Sequence, residues 1–166
     1  GFLDALVYDR TDRTAIDRLI TGGTLNFTPL DNFTSRVTVG YDRAALFGVT
    51  ALDRGHPLRA GGKRGTLNSL FELVTVDQVN TYQLESIPFI NGLGMDVSVG
   101  FQSITKNNHV VGAFSQYFAG PGKALLGSGS QTLATEKMSR VITGGGFAQA
   151  VLKYSDKYFV TVGLRI

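Results

Sequence analysis

The sequence contains no cysteine and no tryptophan. Without thiols it forms no disulfide, zinc-thiolate site or iron-sulfur cluster, and it offers no cysteine nucleophile. Charge is sparse as well: 17% of the 166 residues are charged, against about 25% in ordinary soluble domains. That scarcity, together with 21 glycines, argues against a disordered chain, a coiled coil or an ordinary helical domain. The 16 Lys and Arg residues exceed the 13 Asp and Glu, but they lie singly or in pairs such as Lys63-Arg64. No dense basic stripe exists to neutralise many phosphates, so no nucleic-acid partner is expected. No run approaches the roughly 18 consecutive apolar residues of a membrane helix, and the segment Gly1-Phe2-Leu3-Asp4-Ala5-Leu6 lacks the basic start of a signal peptide. Transmembrane strands escape that test, because a strand crosses with about 10 residues of which every second one is apolar.

What the sequence does contain is alternation. Leu93, Met95, Val97, Val99 and Phe101 interleave with Gly94, Asp96, Ser98, Gly100 and Gln102, which in a strand makes one face apolar and the other polar or bare. The C-terminal stretch repeats the pattern: Tyr158, Val160, Val162, Leu164 and Ile166 oppose Phe159, Thr161, Gly163 and Arg165. Four further strands are expected near 18–28, 34–47, 66–84 and 138–154. In the second of these Val37, Val39 and Tyr41 oppose Arg36, Thr38, Gly40 and Asp42. Stretches 66–84 and 138–154 carry apolar residues on both faces, so their facing stays open; the first is assigned as strand on β-branched content and length alone.

The connections left over are 29–33, 48–65, 85–91, 108–137 and 155–157, in which short and long alternate. Outer-membrane barrels have that arrangement, with short periplasmic turns and long outer loops. Aromatics bracket each short turn: Phe27 and Phe33, Tyr82 and Phe89, Tyr154 and Tyr158. Amphipathic rings gather at membrane interfaces, so this row reads as a girdle.

Motifs for chemistry fail on inspection. His56 and His109 fall in or beside the expected long loops without a second ligand at metal-binding spacing, and are expected to be solvated. Gly120-Pro121-Gly122-Lys123 has Tyr117 and Ala124 where a phosphate loop needs Gly and Ser or Thr. Gly144-Gly145-Gly146 lacks dinucleotide-binding spacing, and Ser128 follows Leu126 at the position where a nucleophile elbow needs Gly. No catalytic, cofactor-binding or metal-binding residue is assigned, and no enzyme activity is expected.

Several segments in succession carry a family resemblance: Gly23-Thr-Leu-Asn-Phe-Thr-Pro-Leu30, Arg36-Val-Thr-Val-Gly-Tyr-Asp42, Phe118-Ala-Gly-Pro-Gly122, Gly145-Gly-Phe-Ala-Gln149 and Tyr154-Ser-Asp-Lys-Tyr-Phe-Val-Thr-Val-Gly-Leu-Arg165. In order and spacing these resemble the barrel of SusC/RagA-like TonB-dependent outer-membrane receptors. The resemblance implies nutrient uptake through a large barrel with an N-terminal plug in a Gram-negative outer membrane. It implies as partners outer-membrane lipid, the rest of the barrel and its plug, the TonB complex reached through an N-terminal region, and a surface substrate-binding lipoprotein. No plug or TonB-contacting box is visible, and the chain ends in mid-strand on Leu164-Arg165-Ile166. Residues 1–166 are therefore expected to be part of a receptor barrel domain.

The expected fold is all-β: an antiparallel up-and-down transmembrane barrel segment of about six strands, too few to close alone. Lipid-facing candidates are Val37, Val39, Leu93, Met95, Val97, Val99, Phe101, Val160, Val162 and Leu164. Lumen-facing candidates are Arg36, Asp42, Asp96, Ser98, Gln102 and Arg165. The alternatives are a soluble antiparallel β module that binds a ligand or serves an extracellular structural role, and a passive porin.

Overall fold

A computed structural model describes residues 10–87, 92–120, 124–155 and 157–166. Residues Gly1 to Leu6, Phe89 and the Pro121-Gly122-Lys123 segment, all invoked above, lie outside the described residues. Six strands form one sheet in chain order: β1 (Arg10–Leu30), β2 (Phe33–Leu52), β3 (Lys63–Leu84), β4 (Leu93–Phe118), β5 (Gly129–Tyr154) and β6 (Tyr158–Arg165). The strands run antiparallel and up-and-down, and the sheet is not closed. Between β5 and β6 the register runs from Tyr154↔Tyr158 to Phe147↔Arg165. Asp31 and Asn32, both turn formers, join β1 to β2.

The strands are longer than the alternation indicates. β1 begins at Arg10 rather than near 18, β4 runs on to Phe118, and β5 begins at Gly129 rather than near 138. The added stretches lack a clean apolar period, and polar side chains tie them together across the ladder instead. Gln116 Nε2 donates to Gln131 Oε1 at 2.6 Å, Thr132 Oγ1 donates to Ser115 Oγ at 3.3 Å, and His109 Nε2 lies 2.7 Å from Glu136 Oε1. His109 is thus a strand residue beside a carboxylate rather than a loop residue, with 39% of its side chain exposed. The long connections shrink to 53–62 and 119–128, and the connection 85–92 is nearly as long, so the alternation of loop lengths is shallower than expected.

The described residues fall into two compact units. A loop unit holds the described parts of Gly1–Leu19, Asp42–Glu72 and Asn107–Arg140; a turn unit holds those of Ile20–Tyr41, Leu73–Lys106 and Val141–Ile166. In the loop unit the segment 53–62 is latched down. Phe118 N–H donates to Gly61 O at 2.8 Å and Arg59 Nη1 to Gln116 Oε1 at 2.7 Å, while Arg54 Nη1 donates to Ala119 O; next to the segment, Arg64 Nη1 of β3 donates to Ala124 O at 3.1 Å. Gly62 has φ +72°, and a Cβ there would stand 2.7 Å from the Phe118 ring, so both backbone and space demand glycine. His56, expected to be solvated, is 1% exposed and accepts the Leu58 N–H on Nδ1 at 3.1 Å. A loop that folds on itself must satisfy its own backbone, and a short-range histidine acceptor does this. The buried side chains among the described residues, His56, Val49, Ala51, Ser115, Phe118 and Ala124, all belong to this unit.

Candidate functional site

Cross-strand contacts show which residues share a face, because side chains alternate along each strand. In the turn unit Thr24 meets Thr38 at 3.2 Å, and Arg36 Nε donates to Asn26 Oδ1 at 2.9 Å. A Cβ on Gly40 would press on Thr75 Oγ1 at 2.5 Å. Gln102 Nε2 donates to Asp77 Oδ1 at 2.7 Å, and Thr81 meets Ser98 at 3.0 Å. Lys153 Nζ sits 2.6 Å from Asp96 Oδ2, and Arg165 Nη2 donates to Gln102 Oε1 at 2.8 Å. These contacts chain all six strands together on one polar face.

Arg36, Asp96, Ser98, Gln102 and Arg165, the lumen-facing candidates of this unit, all lie on that face. Asp42 belongs to the loop unit, where Arg18 grips it through two nitrogens at 3.1 and 2.7 Å. That fork geometry fixes both side chains as well as pairing their charges.

The opposite face of the turn unit follows by alternation. Val37 and Val39 from β2, Leu93, Met95, Val97, Val99 and Phe101 from β4, and Val160, Val162 and Leu164 from β6 all fall on it. The contacts also give the strands whose facing the sequence leaves open: Val74 and Val76 of β3, and Ala148, Ala150 and Leu152 of β5, join the same face. Gln78 and Asn80 interrupt it on β3. Many of these apolar side chains are exposed, Val99 by 53%, Val162 by 63% and Leu164 by 71%. Phe27, Phe33, Tyr82, Tyr154 and Tyr158 share this face beside the short turns, with Tyr154 and Tyr158 ring centroids 6.5 Å apart.

In the loop unit the face reached by the same alternation is mixed: exposed apolar residues such as Phe47 and Met138 lie among charged ones. It carries Asp17, Arg43, Glu72, Arg140 and the His109–Glu136 pair, the last in contact at 2.7 Å.

Sequence reasoning missed the individual pairs, since Lys153–Asp96 and Arg18–Asp42 depend on strand register that alternation alone does not supply. It also missed a hollow on the polar face of the loop unit, where Gly48, Gly65 and Gly112 come together. Among the described residues no group of three or more His, Asp or Glu could hold a metal ion. No described helix is long and apolar enough to cross a membrane.

No protein-family model matches the sequence, and no curated protein sequence matches it. Solved structures do. A structure of the RagAB peptide transporter superposes with a TM-score of 0.82 at 15% identity, covering 95% of this chain and 18% of that one. The RagAB peptide importer in its "closed-closed" state gives 0.84 and in its "open-open" state 0.82, each at 16% identity with the same coverage. At such identities the likeness shows a shared fold, and this chain spans under a fifth of the length of the chains it matches.

Proposed function

We propose that this chain is a section of the wall of an outer-membrane β-barrel belonging to a TonB-dependent nutrient importer of the SusC/RagA-like kind. The observation that carries the reading is the inversion of the two faces in the turn unit. Its apolar face stands exposed while its polar face is knitted by hydrogen bonds and an ion pair. A soluble β module buries the apolar face as its core; a barrel wall turns that face to lipid and the polar face to a wet lumen.

Lengths agree with this. A bilayer crossing takes about 9–11 tilted residues, and the turn unit supplies such stretches, for example 20–30 of β1 and 73–84 of β3. Phe27, Tyr82, Tyr154 and Tyr158 then form an interfacial girdle beside the short turns, and Asp17, Arg43, Glu72 and Arg140 lie where charge is again solvated.

Val37, Val39, Leu93, Met95, Val97, Val99, Phe101, Val160, Val162 and Leu164 are accordingly proposed to contact lipid. Arg36, Asp42, Asp96, Ser98, Gln102 and Arg165 are proposed to face the lumen. The free edges of β1 and β6 require further strands, and a plug, the TonB complex and a surface substrate-binding lipoprotein are the proposed partners. Because the structural neighbours are a peptide transporter, the solute proposed is a peptide. The wall residues tune the lumen and perform no covalent chemistry.

The full-length protein is expected to stay in the membrane pellet after carbonate washing. A cysteine introduced at Ala60 should react with an impermeant maleimide on intact cells, and one at Lys157 only after the outer membrane is opened. Uptake should stop when the proton gradient is collapsed. Release by carbonate would favour a soluble module, labelling of Lys157→Cys alone would reverse the orientation, and gradient-independent uptake would mean a passive porin.

A further inference from the structure

We infer that the polar face of the loop unit contains a subsite for an apolar side chain with a main-chain carboxylate beside it, as at the C-terminal residue of a peptide; this rests on the transport reading above. The starting point is glycine in three neighbouring strands: Gly48 in β2, Gly65 in β3 and Gly112 in β4. Neither Gly48 nor Gly65 needs to be glycine for the fold. Neither has a positive φ, a Cβ on Gly48 would meet Leu67 Cβ at an ordinary 3.7 Å, and the nearest atom to a Cβ on Gly65 is Ala113 O at 3.9 Å. Glycine inside a strand weakens it, and where neither conformation nor crowding requires it, it often marks a bend or a place where something else approaches the backbone.

At these positions the wall has a hollow of ≈ 680 Å³, within the range of about 300–1,000 Å³ of small-ligand pockets. Its sides are apolar, formed by Leu46, Leu67, Phe114 and Leu133. Apolar surface on a wet face is costly to leave solvated and is covered favourably by a branched aliphatic side chain.

The charge at the hollow selects what accompanies that side chain. Arg10 and Asp12, also on its rim, pair with each other at 2.8 Å. Lys63 lines the hollow with its Nζ 5.5 Å from the Phe114 ring centroid, and it has no carboxylate partner among the described residues. One cation is thus left beside an apolar socket. An ammonium held against an aromatic face is well placed to receive an anion, and a carboxylate next to an aliphatic side chain is what a peptide presents at its C-terminal residue.

The test is a fluorescence-anisotropy titration of the purified full-length protein with dansyl-Ala-Ala-Ala-Leu and with its C-terminal amide. The wild type is expected to prefer the acid by at least tenfold. Gly65→Leu, whose Cβ would come no nearer than 3.9 Å to any atom and whose side chain extends into the hollow, should weaken binding of the acid at least tenfold. Lys63→Met should make acid and amide equal. Heat-modifiable migration of the barrel checks that each variant folds, and Gly48→Val serves the same purpose should Gly65→Leu fail that check. Unchanged binding by both filled variants, no preference for the acid, or no binding of either peptide by the wild type would overturn the subsite, the last pointing to the protein's own plug as the occupant. Release of the protein by carbonate would sink the membrane reading separately, since the titration is carried out on purified protein.

Discussion

Val97→Arg is expected to destabilise the folded protein in lipid by about 2–4 kcal/mol, the cost of a cation on the lipid face near the bilayer midplane. Val97 is central among Leu93, Met95, Val97, Val99 and Phe101, so snorkelling to either interface is least effective there. The neighbouring Ser98→Arg places the same charge on the polar face. It removes the 3.0 Å contact with Thr81, worth about 1 kcal/mol, but its guanidinium enters water. A urea-driven folding titration into lipid vesicles reads both. Equal losses would mean that the sheet has two buried faces and is no membrane wall.

Gly100 is the second position where a small change should have a large effect. It is buried, and a Cβ there would run into the Phe147 ring and stand 2.8 Å from Gln78 O. The ring lies over the bare backbone of the next strand, the arrangement by which an aromatic covers a strand glycine. Gly100→Val must displace the ring and backbone together, at about 1–3 kcal/mol or more. Phe147→Ala in the same chain should recover part of that loss, not all, because the clash with the Gln78 carbonyl persists. The coupling measured by a double-mutant cycle is expected to exceed about 0.5 kcal/mol, as for residues in contact. Strict additivity would show that Phe147 does not rest on Gly100.

Alternation made β4 and β6 legible because each has one face that is almost wholly apolar and another that is small or charged. It failed for β3 and β5, where Val74 and Val76, or Ala148 and Leu152, compete with apolar residues on the other face. What assigns those strands is contact with a legible neighbour: Asp77 with Gln102, Phe147 over Gly100, and Lys153 with Asp96. The loop unit was the least legible part. Its strands are held by Gln116–Gln131, Ser115–Thr132 and His109–Glu136, polar pairs that leave no apolar period in the sequence. His56 misled because histidine in a Gly- and Pro-rich loop is ordinarily wet, whereas here the loop closes around it. The hollow was invisible for a different reason: Gly48, Gly65 and Gly112 are far apart in the chain and meet only through the order of the sheet.

The most direct test of the two-faced wall is a nitroxide scan along β4 in the full-length protein reconstituted in lipid bilayers, with a spin label at each position from Met95 to Gln102 in turn except Gly100, which admits no side chain. Collision rates with oxygen, which concentrates in lipid, and with a polar nickel chelate, which stays in water, should alternate with period two. Met95, Val97, Val99 and Phe101 should be oxygen-rich, and Asp96, Ser98 and Gln102 should favour the chelate or be shielded from both. A scan without that period, or one in which the even-numbered positions face the lipid, would contradict the account.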